Sequence, residues 1–300
     1  MDVKNNNKIK RNSSISDCIL TLIVVLISIV VVIICLYPFL NIAAISINDA
    51  QDAMRGGIYL WPRKISFESY KDILSRSTFM HASLVTLIRT LIGTPLAVIC
   101  TTAFAYVLSR KDLVGRRFWT VLFIFTMYFG GGQVPYYMVL KNINLLDNFW
   151  VFIFPNLISV YNMILIRNYI NNMPKSIFEA SKIDGANDLQ LFFKIVLPLA
   201  KPVVMAVALF VAIMHWNSWF DAYLYTNKQE LKTMQSILVE ILNQYQTSGA
   251  NQTLIRGEQS ITPDSIRMAA TMVATIPIIL AYPFIQKYFV GGMMSGAVKG

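Results

Sequence analysis

What most constrains this chain is a repeated feature: apolar runs of membrane-crossing length, separated by more polar segments. The first, Cys18 to Leu40, contains no charged residue. A bilayer core of about 30 Å calls for about 20 apolar residues in a helix, and this run meets that length. It also outlasts the roughly 7–15 apolar residues of a secretory leader, so Asn41-Ile42-Ala43-Ala44 reads as the end of an anchor rather than a cleavage site. In hydrocarbon every backbone polar group needs a partner within the protein, so a single spanning segment is a helix. Further spans are expected at about Leu84–Leu108, Phe118–Leu140, Phe149–Leu165, Val203–Tyr223 and Met268–Ile285. The expected fold is an all-α membrane protein with six transmembrane helices.

Composition agrees with lipid as the solvent. Of the 300 residues, 55% are hydrophobic and 14% charged, and mean hydropathy is +0.53. The net charge of +10 is gathered in short clusters beside apolar runs, with no nucleic-acid-binding motif, which argues against a nucleic-acid partner. Lys4, Lys8, Lys10 and Arg11 precede the first run, and Arg110, Lys111, Arg116 and Arg117 follow the second. The segment Arg167–Lys201 and the end of the chain are basic too, whereas the alternate loops mix both signs. The positive-inside rule then places both termini in the cytoplasm.

The resulting organisation is a cytoplasmic tail at 1–17, a first helix at 18–40, an extracellular loop at 41–83, a core at 84–290 and a cytoplasmic tail at 291–300. In the loop, Trp61 suits an interfacial anchor. Cys18, Cys35 and Cys100 all lie in apolar runs without paired spacing and read as small hydrophobes.

Between the fourth and fifth runs lies a segment unlike the other connections, 174–202. Pro174 suits the first position of a helix, and Ile177, Ala180 and Ile183 continue at helical spacing. Gly185 is placed to stop that helix in a left-handed turn. Asn187 then caps a second helix, with Gln190 three residues on as its reciprocal partner. Pro198 and Pro202 punctuate the end. The product is two short helices about a tight glycine turn, shaped to fit a socket on another protein.

These residues carry a resemblance. Glu179-Ala180-Ser181-Lys182-Ile183-Asp184-Gly185-Ala186, followed by Phe192, Ile195 and Pro198, closely resembles the EAA loop of ABC importer permeases. Only the triplet's second alanine departs, as Ser181. His215-Trp216-Asn217-Ser218-Trp219-Phe220-Asp221, the Ala105-Tyr106-Val107-Leu108-Ser109-Arg110 ending and the C-terminal Gly296-Ala297-Val298-Lys299-Gly300 resemble the carbohydrate branch of that family.

The resemblance implies a type I importer permease in a bacterial cell membrane. Glu179, Ala180, Ser181, Asp184, Gly185 and Ala186 would form a coupling helix docked on a cytoplasmic ATPase dimer. It also implies a homologous second permease in a heterodimer, an extracellular solute-binding lipoprotein and an oligosaccharide substrate. This chain would hold no cofactor, ATP and magnesium belonging to the ATPase.

The residues agree that chemistry lies elsewhere. There is no phosphate-binding G-x-x-x-x-G-K-S/T, no H-E-x-x-H and no G-x-S-x-G, so no catalytic or metal residues are assigned. Polar and aromatic groups inside the spans suit an uncharged polar solute, flat rings covering the C–H face of a sugar while amides and hydroxyls meet its rim. Tyr128, Gln133, Asn156, Asn162, His215, Trp216, Asn217 and Trp219 are the pathway candidates, with Tyr136 beside them. The alternative for these residues is an aromatic belt with helix–helix hydrogen bonds. Gly130-Gly131-Gly132 with Pro135 predicts an irregular third span. Arg89 is expected to snorkel to the headgroups or to line the pathway. A permease for another polar solute, an ion-coupled secondary transporter using Arg89 and Asp221, and a structural or sensory subunit remain open alternatives.

Overall fold

The computed structural model describes residues 15–248 and 262–297. The tail lysines, part of the long loop after residue 224 and the last residues of the C-terminal motif lie outside them. Among the described residues the elements are helical, with one isolated bridge between Asn48 and Ile65. The chain forms two compact units, Met1–Ser69 with Gln259–Ala269, and Tyr70–Glu258 with Ala270–Gly300.

In the first unit, α1 (Ile15–Ser46) is 32 residues long, about 48 Å at helical rise. Nearly all its large apolar side chains from Ile19 to Leu40 are exposed, as lipid contact requires. Beyond it α2 (Ala50–Ala53) is capped by Asp49, whose carboxylate accepts from Asp52 N at 3.0 Å. The chain then returns along α1. Asn41 Nδ2 donates to the carbonyls of Ile58 and Tyr59 at 2.8 and 2.9 Å, and Asn48 Oδ1 accepts from Arg63 N and Lys64 N at 2.8 and 2.9 Å. Asn48 and then Arg63, by their hydrogen bonds, hold the Asp52 carboxyl below the usual range. Trp61 projects from this loop, 83% exposed.

The second unit follows α3 (Glu68–Ser75), which crosses the unit boundary. Its axis is α4 (Ser77–Ser109), a 33-residue helix with Pro95 inside. Next come α5 (Arg116–Tyr128) and α6 (Gln133–Asn142), then two 3₁₀ turns at Phe149–Phe152 and Phe154–Asn156, which meet α7 (Val160–Asn171) at a 43° bend. The segment between spans holds α8 (Lys175–Ile183), α9 (Asp188–Leu191), a π turn at Phe192–Val196 and α10 (Leu197–Leu199). It turns by 81° into α11 (Lys201–Asn217). The chain closes with α12 (Phe220–Tyr225), α13 (Met234–Ser248) and α14 (Pro263–Ala297), of which the residues up to Ala269 belong to the first unit.

The main core lies where α4, α7 and α11 meet. Ala97, Ala105 and Leu108 of α4 pack with Met163, Ile166 and Ile170 of α7 and Val204, Val207 and Val211 of α11. Small side chains on α4 let its neighbours approach closely, the usual basis of helix packing in lipid. A second cluster gathers Val85, Leu140, Val151, Phe152, Ile153 and Ala222. Thr86 Oγ1 accepts from Met234 N at 2.8 Å, satisfying a buried donor at the start of α13 from far along the chain.

Three described helices are long and apolar enough to cross a membrane: Ile19–Ser46, Ser77–Ser109 and Asp264–Pro283, or up to five spans if each bent pair counts as one. The expected third span differs most. It is α5 and α6, 13 and 10 residues long, each shorter than the hydrocarbon at 1.5 Å per residue. The break falls at Phe129–Gly132, where glycines leave the helical rhythm. The expected fifth span ends at Asn217 instead of Tyr223, because Ser218 is extended.

Candidate functional site

Two places in the second unit bring functional groups together. The first is the segment around Gly185, which adopts φ +76°. Ahead of it, Asp184 N donates to Ala180 O at 2.9 Å and Ala186 N to Ser181 O at 3.0 Å, the bonds of a left-handed helix stop. Behind it, Asn187 Oδ1 accepts from Gln190 N at 2.8 Å while Gln190 Oε1 accepts from Asn187 N at 3.1 Å, a complete capping box. With both helix ends satisfied, the turn is stiff. Ser181 is buried and donates to Ile177 O at 2.6 Å, so its extra hydroxyl leaves the helix surface unchanged.

This segment has two unlike parts. From α8 to the start of α9 it is largely exposed: Glu179, Ala180, Asp184 and Gly185 face outward, Ala186 is half-buried, and Ile183 and Leu189 are 86% and 70% exposed. From Leu191 onward it enters the core, with Leu191, Phe192, Val196 and Ala200 all buried among α4, α7 and α11 residues.

The second place is a recess of about 300 Å³ lined by Arg89, Tyr136, Asn156, Ser218, Asp221 and Tyr225 among others. Arg89 has no exposed surface, which corrects the expectation that it snorkels. The reason is a partner within reach: Nη1 and Nη2 donate to the two oxygens of Asp221 at 3.1 and 2.5 Å. The guanidinium also lies 4.6 Å from the Phe152 ring centroid. Asp221 Oδ1 further accepts from Ser218 Oγ and Ala222 N at 2.8 and 2.9 Å. The rings of Tyr136 and Tyr225 stand 6.0 Å apart, tilted by 53°.

The expected pathway residues are dispersed. Asn156 lines the recess, its Nδ2 bonded to Phe152 O at 3.1 Å. His215 is wholly buried, its ring pressed on Gly93 so closely that a Cβ added there would lie 2.5 Å from Nε2. Asn162 is buried in α7. Trp216 is half-buried and donates from Nε1 to Ala274 O at 3.0 Å. Asn217 is exposed and accepts from Gln235 at 3.3 Å. Trp219 packs edge-on to Phe220 at 5.5 Å. Tyr128 and Gln133 are exposed on either side of the break between α5 and α6. Tyr225 and Ser218 were missed by sequence reading, and Asp221 was weighed only as an ion-coupling residue. In the sequence, Arg89, Tyr136 and Asn156 inside the spans and the Asp221 carboxylate beside an apolar run point to this recess.

A family model described as binding-protein-dependent transport system inner membrane component matches residues 73–295. A polygalacturonan/rhamnogalacturonan transport system permease protein of Bacillus subtilis is 39% identical over 269 residues, covering 89% of this chain and 93% of that one. An arabinooligosaccharides transport system permease protein of Halalkalibacterium halodurans is 25% identical, covering 89% and 92% respectively. Among solved structures, a chain of a bacterial ABC transporter involved in import of the acidic polysaccharide alginate superposes with a TM-score of 0.81 at 31% identity, covering 92% of this chain and 98% of that one.

Proposed function

The chain belongs to the family of binding-protein-dependent transport inner membrane components, and on that premise we propose that it is the permease subunit of an ATP-driven importer of oligosaccharides. The observation that carries the reading is the rigid, outward-facing turn Glu179–Ala186, with Ile183 and Leu189 exposed beside it. A turn capped at both ends transmits force where a loose loop would absorb it. Its apolar side chains supply the contact area for a groove on a cytoplasmic ATPase, which alone binds ATP and magnesium. A second, related permease and an extracellular solute-binding lipoprotein complete the complex.

In this reading α5 and α6 together make one interrupted crossing, giving six. The break at Phe129–Gly132 is exposed in this chain, so in this reading the second permease covers it, since irregular backbone is not tolerated against lipid. Both termini and the segment 174–202 then face the cytoplasm. The recess offers tilted tyrosine rings with an amide, a hydroxyl and a carboxylate, a suitable contact for part of a saccharide chain.

The test is reconstitution with the ATPase, the second permease and the binding protein in proteoliposomes. Uptake of neutral and acidic oligosaccharides should require ATP inside. Uptake that persists without ATP and collapses with an ion gradient would assign the chain to the secondary transporters instead. A cysteine placed at Asn187 should react with an impermeant thiol reagent only in inside-out vesicles, and labelling from intact cells would reverse the topology.

A further inference from the structure

The C-terminal end of α4 bears a side chain that the reading above does not use. Arg110 is the residue after the helix, and its guanidinium serves four acceptors at once. Nε and Nη2 donate to the two oxygens of Asp112 at 2.9 and 2.6 Å, and Nη1 donates to Tyr106 Oη at 2.9 Å and to Asp188 Oδ1. The charge also lies 5.8 Å from the Tyr106 ring centroid. Asp112 foremost, with Tyr106 and Asp188 adding to it, holds the guanidinium protonated beyond its ordinary range.

Asp188 is the first residue of α9, within the Asn187–Gln190 capping box and three residues past Gly185, and its side chain is 72% exposed. From Gly185 onward the first buried residue is Leu191. Arg110 therefore grips α9 one turn before the core does. Tyr106 completes the grip, since its ring packs against Phe192 at 5.5 Å. The last turn of α4 holds both ends of α9, by charge at Asp188 and by an aromatic contact at Phe192.

We propose that Arg110 is a positioning residue that joins the exposed turn to α4 as one mechanical piece, so that a push on residues 175–190 displaces α4 instead of being absorbed at the start of α9. The inference rests on the reading that this turn docks on the ATPase. It requires arginine: a lysine presents one compact charge, whereas the planar fork serves two carboxylates and a phenol together.

The experiment is the ratio of sugar imported to ATP hydrolysed in the reconstituted complex. Arg110→Gln and Asp188→Ala should each lower that ratio about two- to fivefold, the range of a partly exposed ion pair. The double variant should be no worse than the poorer single one, because both remove the same link. Arg110→Lys should not restore the ratio. Complex assembly, read by size-exclusion chromatography, should match the wild type in every case. If the wild-type complex imports with ATP and Arg110→Gln couples as well as it does, the latch alone is overturned. If the two single effects add in full, the link is overturned as well. A wild-type complex that imports nothing with ATP removes the functional reading and the latch together.

Discussion

Two arginines of α4 and its C-terminal cap, Arg89 inside the helix and Arg110 just after it, are held in opposite ways. Arg89 is completely buried and faces one carboxylate, Asp221, in a two-pronged pair beneath the Phe152 ring. Arg110 retains 20% exposure and is shared between Asp112, Asp188 and Tyr106. A buried pair is costly to break, because removing one charge strands the other in a medium that cannot solvate it. A partly exposed hub is cheap to break, because water replaces each lost partner. The same residue type on one helix therefore does two jobs: Arg89 fastens the α11–α12 break against α4, and Arg110 orients a surface turn without adding much stability.

The sharpest way to break this contrast is at Arg89. Arg89→Ala should destabilise the folded chain by about 3 kcal/mol, the lower end of the cost of stranding one charge of a buried pair, because Asp221 is only partly buried and keeps Ser218 and Ala222 as donors. Thermal unfolding in detergent would register it, and a loss below about 1 kcal/mol would mean that Asp221 is solvated. Replacing both partners, Arg89→Met with Asp221→Leu, should recover most of the loss.

Next in size is Gly93, which lies one helical turn from Arg89 and touches the His215 ring. Gly93→Ala should cost about 1–3 kcal/mol through overpacking. His215→Ala should relieve it, and a double-mutant cycle with no coupling would show that the ring moves away freely.

Gly185 tests the exposed turn. Gly185→Val should cost about 1–2 kcal/mol for a side chain in the left-handed region, and should lower transport and sugar-stimulated ATP hydrolysis together while membrane insertion is unchanged. Equal coupling in wild type and variant would reduce the turn to a connector.

Trp216 follows. Trp216→Phe removes its bond to Ala274 and should cost about 0.5–1.5 kcal/mol of stability. An unchanged melting temperature combined with weaker uptake would return Trp216 to the solute pathway.

Smallest of all is Arg110→Gln, which should change stability by less than about 1 kcal/mol even as it uncouples transport. A stability loss as large as that of Arg89→Ala would erase the distinction between the two arginines.

What could be read from the sequence follows the reach of each interaction. The glycine stop and the Asn187–Gln190 box were legible because every partner lies within a few residues, and local backbone chemistry decides them. The long helix α1 was legible from unbroken apolarity, and α4 and α14 from apolar runs of spanning length with few charges. The Arg89–Asp221 pair joins residues 132 positions apart, and the Arg110–Asp188 contact spans 78. No local pattern encodes such pairings, so the sequence offers snorkelling or a place on the pathway for Arg89 and cannot name its partner. The setting of His215 is likewise made at a distance, by Gly93 on another helix. The interrupted third span was foreseen in its glycines, yet its division into two short helices was not, because a hydropathy window averages across a break.

The π turn at Phe192–Val196 makes the length of this segment a discrete quantity. Such a turn holds one residue more than the α-helical rhythm allows. Because the wide turn absorbs that extra residue, the helical phase on either side is nearly kept: deleting one of the five would restore the ordinary rhythm and leave Asp188 facing Arg110. The same deletion in the regular turn Asp188–Leu191 would rotate the exposed face with Ile183 and Leu189 by about 100°. For anyone building chimaeras from such permeases, a single-residue alignment gap in this segment belongs between Phe192 and Val196.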